Sequence, residues 1–270
     1  MPEHTMLIEA DEPAAYEVLE TRPDLPVLLV CDHASNRIPR VLGDLGVSAE
    51  ALTEHIAWDI GAAAVTREMA RHLNVPAILG TYSRLVVDCN RNLDDPTAFP
   101  ARSDEVPVPG NSSLDQATRE LRANTLYWPY HHAIRDHLRL LESLAPAPAL
   151  IAIHSFTPVW DSDSRPWHLG ILWDKDGRIP HGLLDYFERH PEIVVGDNLP
   201  YSGKHPADFT IDYHAEAAGL PHVSIEIRQD LIDSAEGAKH WAGVLCSALD
   251  GILQDRNLYS LRAGLQEETD

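Results

Sequence analysis

The chain is poor in cysteine and in positive charge. Three cysteines, Cys31, Cys89 and Cys246, occur in 270 residues, widely spaced and odd in number. With no CxxC pair there is neither a disulfide framework nor a thiolate zinc site. Cys31 and Cys89 sit in apolar runs, where a small buried thiol is the expected role. Lysine and arginine number 21 against 42 aspartates and glutamates, a formal net charge of −21. That balance excludes nucleic acid and anionic membranes as natural partners. It leaves room for an anionic small molecule, because one local arginine outweighs a distant field at ordinary ionic strength. No run approaches the roughly 20 apolar residues of a membrane span. The opening "MPEHTMLIEADEPAAYEVLE" lacks the basic and apolar regions of a signal peptide, so a cytoplasmic protein is expected.

Internal repeats and low-complexity linkers are missing too. "APAPAL", residues 145–150, is a helix stop and turn before a strand. One domain over residues 1–270, with its core about 27–253, is therefore expected. An apolar fraction of 44% supports a core that needs no staples.

Short apolar runs predict strands at Val27–Val30, Ala77–Leu79, Leu85–Val87, Leu150–Ile153, Leu169–Leu172, Ile193–Val195 and Val223–Ile227. Helical spacing covers Ile60–Leu73, with Asp59 placed as an N-cap, then Leu114–Leu144, which Pro129 should kink or split. Further helices are predicted at Leu183–Arg189, Ile211–Ala218 and Ala238–Leu253. The alternation implies an α/β fold whose mixed, mainly parallel sheet is covered on both faces.

What is abundant is chemistry at strand ends. Val27–Val30 runs into Asp32 and His33, Leu85–Val87 into Asp88, Asn90 and Arg91, and Leu150–Ile153 into His154 and Ser155. The last strand carries Glu226 and then Arg228. Sites in open α/β sheets gather at the carboxyl ends of strands. Two histidines and a carboxylate can hold a catalytic zinc, and a further carboxylate can act as general base. An arginine beside an asparagine suits a substrate carboxylate. Each group also has a plainer role: Asp59 as helix cap, Glu226 as partner of Arg228 on the same strand face, Arg84 in a surface ion pair.

The segments "CDHASNRIP", "WDIGA", "TYSRLVVDCNRNLDDP", "IAIHSFTP" and "GLPHVSIEIRQDLI" together resemble the N-formylglutamate amidohydrolase family, from about Val27 to Ile232. That family is similar to the zinc carboxypeptidases and aspartoacylases, which implies a zinc-exopeptidase-like fold and metal-assisted amide hydrolysis. The resemblance implies that His33 and His154 bind zinc or another divalent metal. The related enzymes take an acid three residues after the first histidine, where this chain has Asn36, so Asp59 is the expected third ligand. His55, one turn earlier, is expected to support it. Asp32, next to His33, would point to the opposite face if the strand continued, and it is left out of the ligand set. Glu226 matches the catalytic glutamate, and Arg84 the arginine that steadies the oxyanion. Asn90 and Arg91 match the pair that grips a substrate carboxylate, with His214 and Tyr201 as further substrate contacts. His131, His132, His168 and His205 carry no assignment. The implied reaction is hydrolysis of N-formyl-glutamate, as in histidine degradation, or of a close N-acyl amino acid. An exopeptidase on short peptides and a non-catalytic, metal-dependent binding protein are the alternatives.

Overall fold

The computed structural model describes residues 6–204 and 208–261. Its centre is a seven-stranded sheet: β1 (Tyr16–Leu19), β2 (Val27–Cys31), β3 (Ala77–Gly80), β4 (Ala149–Phe156), β5 (Leu169–Leu172), β6 (Val195–Asp197) and β7 (His222–Arg228). The spatial order is β1-β3-β2-β4-β7-β5-β6. Strands β3, β2, β4 and β7 run parallel, as do β5 and β6, while β1 joins β3 and β5 joins β7 antiparallel. The sheet is thus mixed and mainly parallel, as expected.

The central strands read as unbroken apolar runs because both faces are covered. Every residue of β2, β3, β4 and β5 is buried. Alternation divides them. Leu29, Ile151, Ile153, Val223 and Ile225 face α1 (Ala62–Leu73), α4 (Pro180–Glu188) and α5 (Ala235–Leu253), through Val65, Met69, Leu183, Trp241 and Leu245. Leu28, Val30, Ile78, Leu150 and Ala152 face α3 (Trp128–Leu141), through Tyr130, Ile134 and Leu138. Among the described residues no helix is long and apolar enough to cross a membrane.

The differences from expectation have local causes. Leu85–Val87 is not a strand but a turn-rich loop, although all three residues are buried. Its carbonyls find side chains instead of a ladder: Asn111 Nδ2 donates to Leu85 O at 2.7 Å and Arg122 Nη1 to Val86 O at 3.0 Å. The strand expected at Ile193–Val195 begins only at Val195. The half-buried edge strand β1 was not foreseen, since "YEVL" lacks an apolar run. The long helix runs through α2 (Gln116–Arg122), a π-helical turn (Ala123–Tyr127) and α3 with helical backbone at both junctions, so the irregularity is a π-helical turn just ahead of Pro129 and not a split.

Candidate active site

Three neighbouring strands deliver the central side chains. His33 follows the end of β2, His154 lies in β4 and Glu226 in β7, and the last two are register partners in the parallel ladder. Register partners project from the same face, so His154 and Glu226 stand side by side. Across from Glu226 on the other edge of β7 is Gly170. A Cβ at Gly170 would lie 2.4 Å from Leu199 O and 3.3 Å from Glu226 Cβ, so glycine is needed there.

Asp59 comes from the loop between β2 and α1 and closes the group. His154 Nδ1 is 2.8 Å and His33 Nδ1 3.3 Å from its carboxylate. His33, Asp59 and His154, all buried, offer ligand atoms within 4.8 Å of one another, a group able to hold a metal ion. The helix-cap role for Asp59 is overturned. Gly61, at φ +81°, is the N-cap of α1, and only the Asp59 backbone carbonyl meets the helix, at Ala62 N. Asn36 is occupied elsewhere, donating from Nδ2 to Leu52 O at 2.8 Å.

Each imidazole has a carboxylate on its far side. His33 Nε2 is 2.7 Å from Asp88 Oδ1. His154 Nε2 is 3.2 Å from Asp32 Oδ2, too far off line for a hydrogen bond. An acid behind each ring favours a hydrogen on Nε2, leaving Nδ1 as the metal-facing lone pair. Asp32 thus stands behind the His154 ring, outside the group of His33, Asp59 and His154 that could hold a metal. The ladder pairs Val30 with Ala152, so Asp32, two residues on, comes level with His154 although the strand ends at Cys31. Thr210 Oγ1 donates to Asp32 Oδ1 at 2.6 Å. Burial pushes the Asp32 carboxyl up, but His154, His33 and Thr210 outweigh it and hold it at about 2. Asp88 was likewise not assigned a role. Its signal, an acid four residues after Arg84, is clear only once the segment is known to turn.

Arg84 is no surface pair. Its Nη2 and Nε reach Asp88 Oδ2 at 2.8 and 3.1 Å, and its Nη1 lies 3.5 Å from Asp59. Burial opposes its charge, yet Asp88 and Asp59 keep the guanidinium firmly protonated. Glu226 is not paired with Arg228 either, which binds Asp230 at 2.8 Å. Glu226 Oε2 is buried without a hydrogen-bond partner. Burial drives this carboxyl up to about 7, opposed by His154 and reinforced by Asp59.

These groups open on a cleft of about 660 Å³ that Arg84, Asn90, Arg91, Tyr201 and Lys204 also line. Asn90 Oδ1 accepts from Thr210 N at 2.9 Å, which orients its amide. Tyr201 OH is 3.0 Å from Arg165 Nη1. His55 lines the cleft but binds Asp104 at 2.7 Å, so the expected support of Asp59 is not seen. His214 lies outside the cleft lining, stacked on His131 with His131 Nδ1 at 2.9 Å from its Nε2. His205 lies outside the described residues.

Comparison with known proteins agrees with this geometry. Residues 25–233 match the sequence model of the family described as N-formylglutamate amidohydrolase. The N-formylglutamate deformylase of Pseudomonas aeruginosa is 28% identical over 170 residues, which is 59% of this chain and 58% of that protein. A gene product of Agrobacterium tumefaciens with a crystal structure is 36% identical, with a TM-score of 0.88 over 92% of this chain and 98% of its own. The crystal structure of N-formylglutamate amidohydrolase from Ralstonia eutropha shares the fold, with a TM-score of 0.70 at 20% identity, again over 92% and 98% of the two chains. Covering most of the chain, and with it both histidines, Asp59 and Glu226, the family match leads to one conclusion: the chain belongs to the N-formylglutamate amidohydrolase family.

Proposed function

We propose that the cleft hydrolyses the amide bond of a small N-acyl amino acid, N-formyl-glutamate or a close analogue, with the help of a bound divalent metal, zinc by preference. The observation that carries this reading is the convergence of two imidazole Nδ1 atoms on Asp59 beside a buried, unpartnered Glu226 oxygen. The donor set suits a metal. Both rings have carboxylates at their backs, and Asp32, Asp59, Asp88 and Glu226 are buried together, with Arg84 paired to Asp88. Asp59, His33 and His154 would hold the ion, which when bound supplies Lewis acidity that polarises the amide carbonyl and acidifies a nearby water.

The chain's own groups do the rest. Glu226 accepts the proton of the attacking water and returns it to the departing amine nitrogen. Its burial keeps a proton acceptor near neutral pH beside the reacting atoms. Arg84, held from behind by Asp88, offers its charge to the developing oxyanion. Asn90 and Arg91 take the amino acid's carboxylate and set the angle of attack. A cleft of about 660 Å³ suits such a ligand. The products are a short acid and a free amino acid.

The reading is tested by assaying purified protein on N-formyl, N-acetyl and dipeptide substrates before and after chelation. Hydrolysis should favour the N-formyl acid, vanish on chelation and return with zinc. The fold should survive, because the core built on β2, β4 and β7 does not depend on the ion. Full activity in metal-free protein would end the proposal.

Arg91 should select for the free carboxylate. Arg91→Lys keeps the charge but loses the two-pronged guanidinium, and Arg91→Ala loses both. The alanine variant should lose roughly ten- to a hundredfold in kcat/KM on N-formyl-glutamate, the equivalent of about 1.5–3 kcal/mol for a charge-assisted bond. The α-amide, already poor with the wild type, should lose little more. If the two losses simply add, Arg91 does not touch the carboxylate.

A further inference from the structure

The loop carrying Asp88, Asn90 and Arg91 has little secondary structure of its own. What holds it is a helical strut behind it. Tyr127 OH donates to Arg91 O at 2.9 Å. One turn later His131 Nε2 reaches Cys89 O at 2.9 Å. Arg122 Nη1 donates to Val86 O at 3.0 Å. Three side chains of one helical stretch therefore grip three carbonyls within six residues of the loop.

The π-helical turn makes this possible. Its i→i+5 spacing brings residues five apart onto one face, so Arg122 and Tyr127 look at the same segment. Tyr127 and His131 are then neighbours by the ordinary i, i+4 rule. Both grips have a fixed sense. A carbonyl can only accept, so His131 carries its hydrogen on Nε2, and its Nδ1 must accept from His214 Nε2. Burial holds His131 at about 4 and His214 at about 3, so both rings are neutral donors at working pH. His214, outside the cleft lining, thereby acts on the loop through His131.

We propose that Tyr127 and His131 are positioning residues: they hold the backbone of residues 88–91 so that Asn90 and Arg91 present to the substrate carboxylate. This rests on the carboxylate-binding role given to Arg91 above, and the test separates the two. Tyr127→Phe deletes one hydroxyl. His131→Leu deletes the donor to Cys89, and His131→Gln restores one. Two quantities are measured on metal-loaded protein. One is the preference for N-formyl-glutamate over its α-amide in kcat/KM. The other is amide hydrogen exchange of the peptide spanning residues 86–92, with β7 as internal control.

Tyr127→Phe and His131→Leu should each reduce the preference roughly three- to tenfold, as expected for the loss of one directed hydrogen bond, and His131→Gln should recover most of it. Exchange in 86–92 should quicken while β7 keeps its protection. A merely structural role would lower both substrates alike and leave their ratio unmoved. If Arg91→Ala erases the preference and Tyr127→Phe leaves both preference and exchange at wild-type values, the positioning role is wrong and the carboxylate reading stands. If Arg91→Ala leaves the preference intact, the carboxylate reading falls. Exchange then decides whether the strut holds the loop: faster exchange upholds it, and wild-type exchange overturns it.

Discussion

Glu226→Gln should lower kcat by about two to four orders of magnitude, the usual contribution of a general base, with bound metal unchanged. Glutamine keeps the shape and the place in the β7 ladder beside His154 but cannot take a proton from water. Metal content should hold because the ligand group consists of His33, Asp59 and His154 and does not include Glu226. The same substitution has an opposite effect on the metal-free fold. Burial raises the Glu226 carboxyl to about 7 from an ordinary 4.5. Between those values the unfolded chain releases a proton that the folded chain keeps, so wild-type stability falls as pH rises from 4.5 and levels off above 7. Glutamine removes that penalty. The metal-free variant should melt above the wild type at pH 8, the gap closing toward pH 4.5. A fully active, metal-loaded Glu226→Gln protein would strip this residue of its role.

Asp59→Ala should abolish metal binding and activity together, while Asn36→Ala keeps the metal. Asp59 supplies the carboxylate that faces both imidazoles, and His33 and His154 hold its pKa far below the ordinary range against the pull of burial. Without it the two histidines remain a poor site for a divalent ion such as zinc. Helix α1 should be untouched, since its cap is Gly61 and the Asp59 contribution is a backbone carbonyl. Asn36→Ala loses only the bond to Leu52 O. Metal analysis of both purified variants decides the matter. Wild-type zinc content in Asp59→Ala would sink the assignment, and loss of zinc in Asn36→Ala would reopen the search for the third ligand.

The central strands and both histidines were legible because a doubly covered parallel strand writes itself as an apolar run, and the residue that ends the run is conspicuous. Strand β2 with His33 and β4 with His154 follow this rule. Leu85–Val87 obeyed the same rule and misled, because buried apolar residues can line a loop whose carbonyls are met by Asn111 and Arg122 from distant segments. No local pattern announces such long-range satisfaction. The carboxylates behind the histidines and the strut behind the Arg91 loop are contacts between segments far apart in the chain, from 32 to 154 and from 89 to 131. Local periodicity carries no record of them.

The sheet order has a consequence for how the protein comes into being. Strand β7, made near the end of the described chain, is inserted between β4 and β5 at the middle of the sheet. His33, Asp59, His154 and Glu226 therefore become neighbours only after β2 has paired with β4, Val27 with Ala149, and β4 with β7, His154 with Glu226. Closing loops of that length is the slow part of folding. A nascent chain emerging from the ribosome can display His33 and Asp59 early, yet it has no completed centre until β7 docks. Glu226 is thus the last of the four to be synthesised, and the centre is complete only with the strand that carries it.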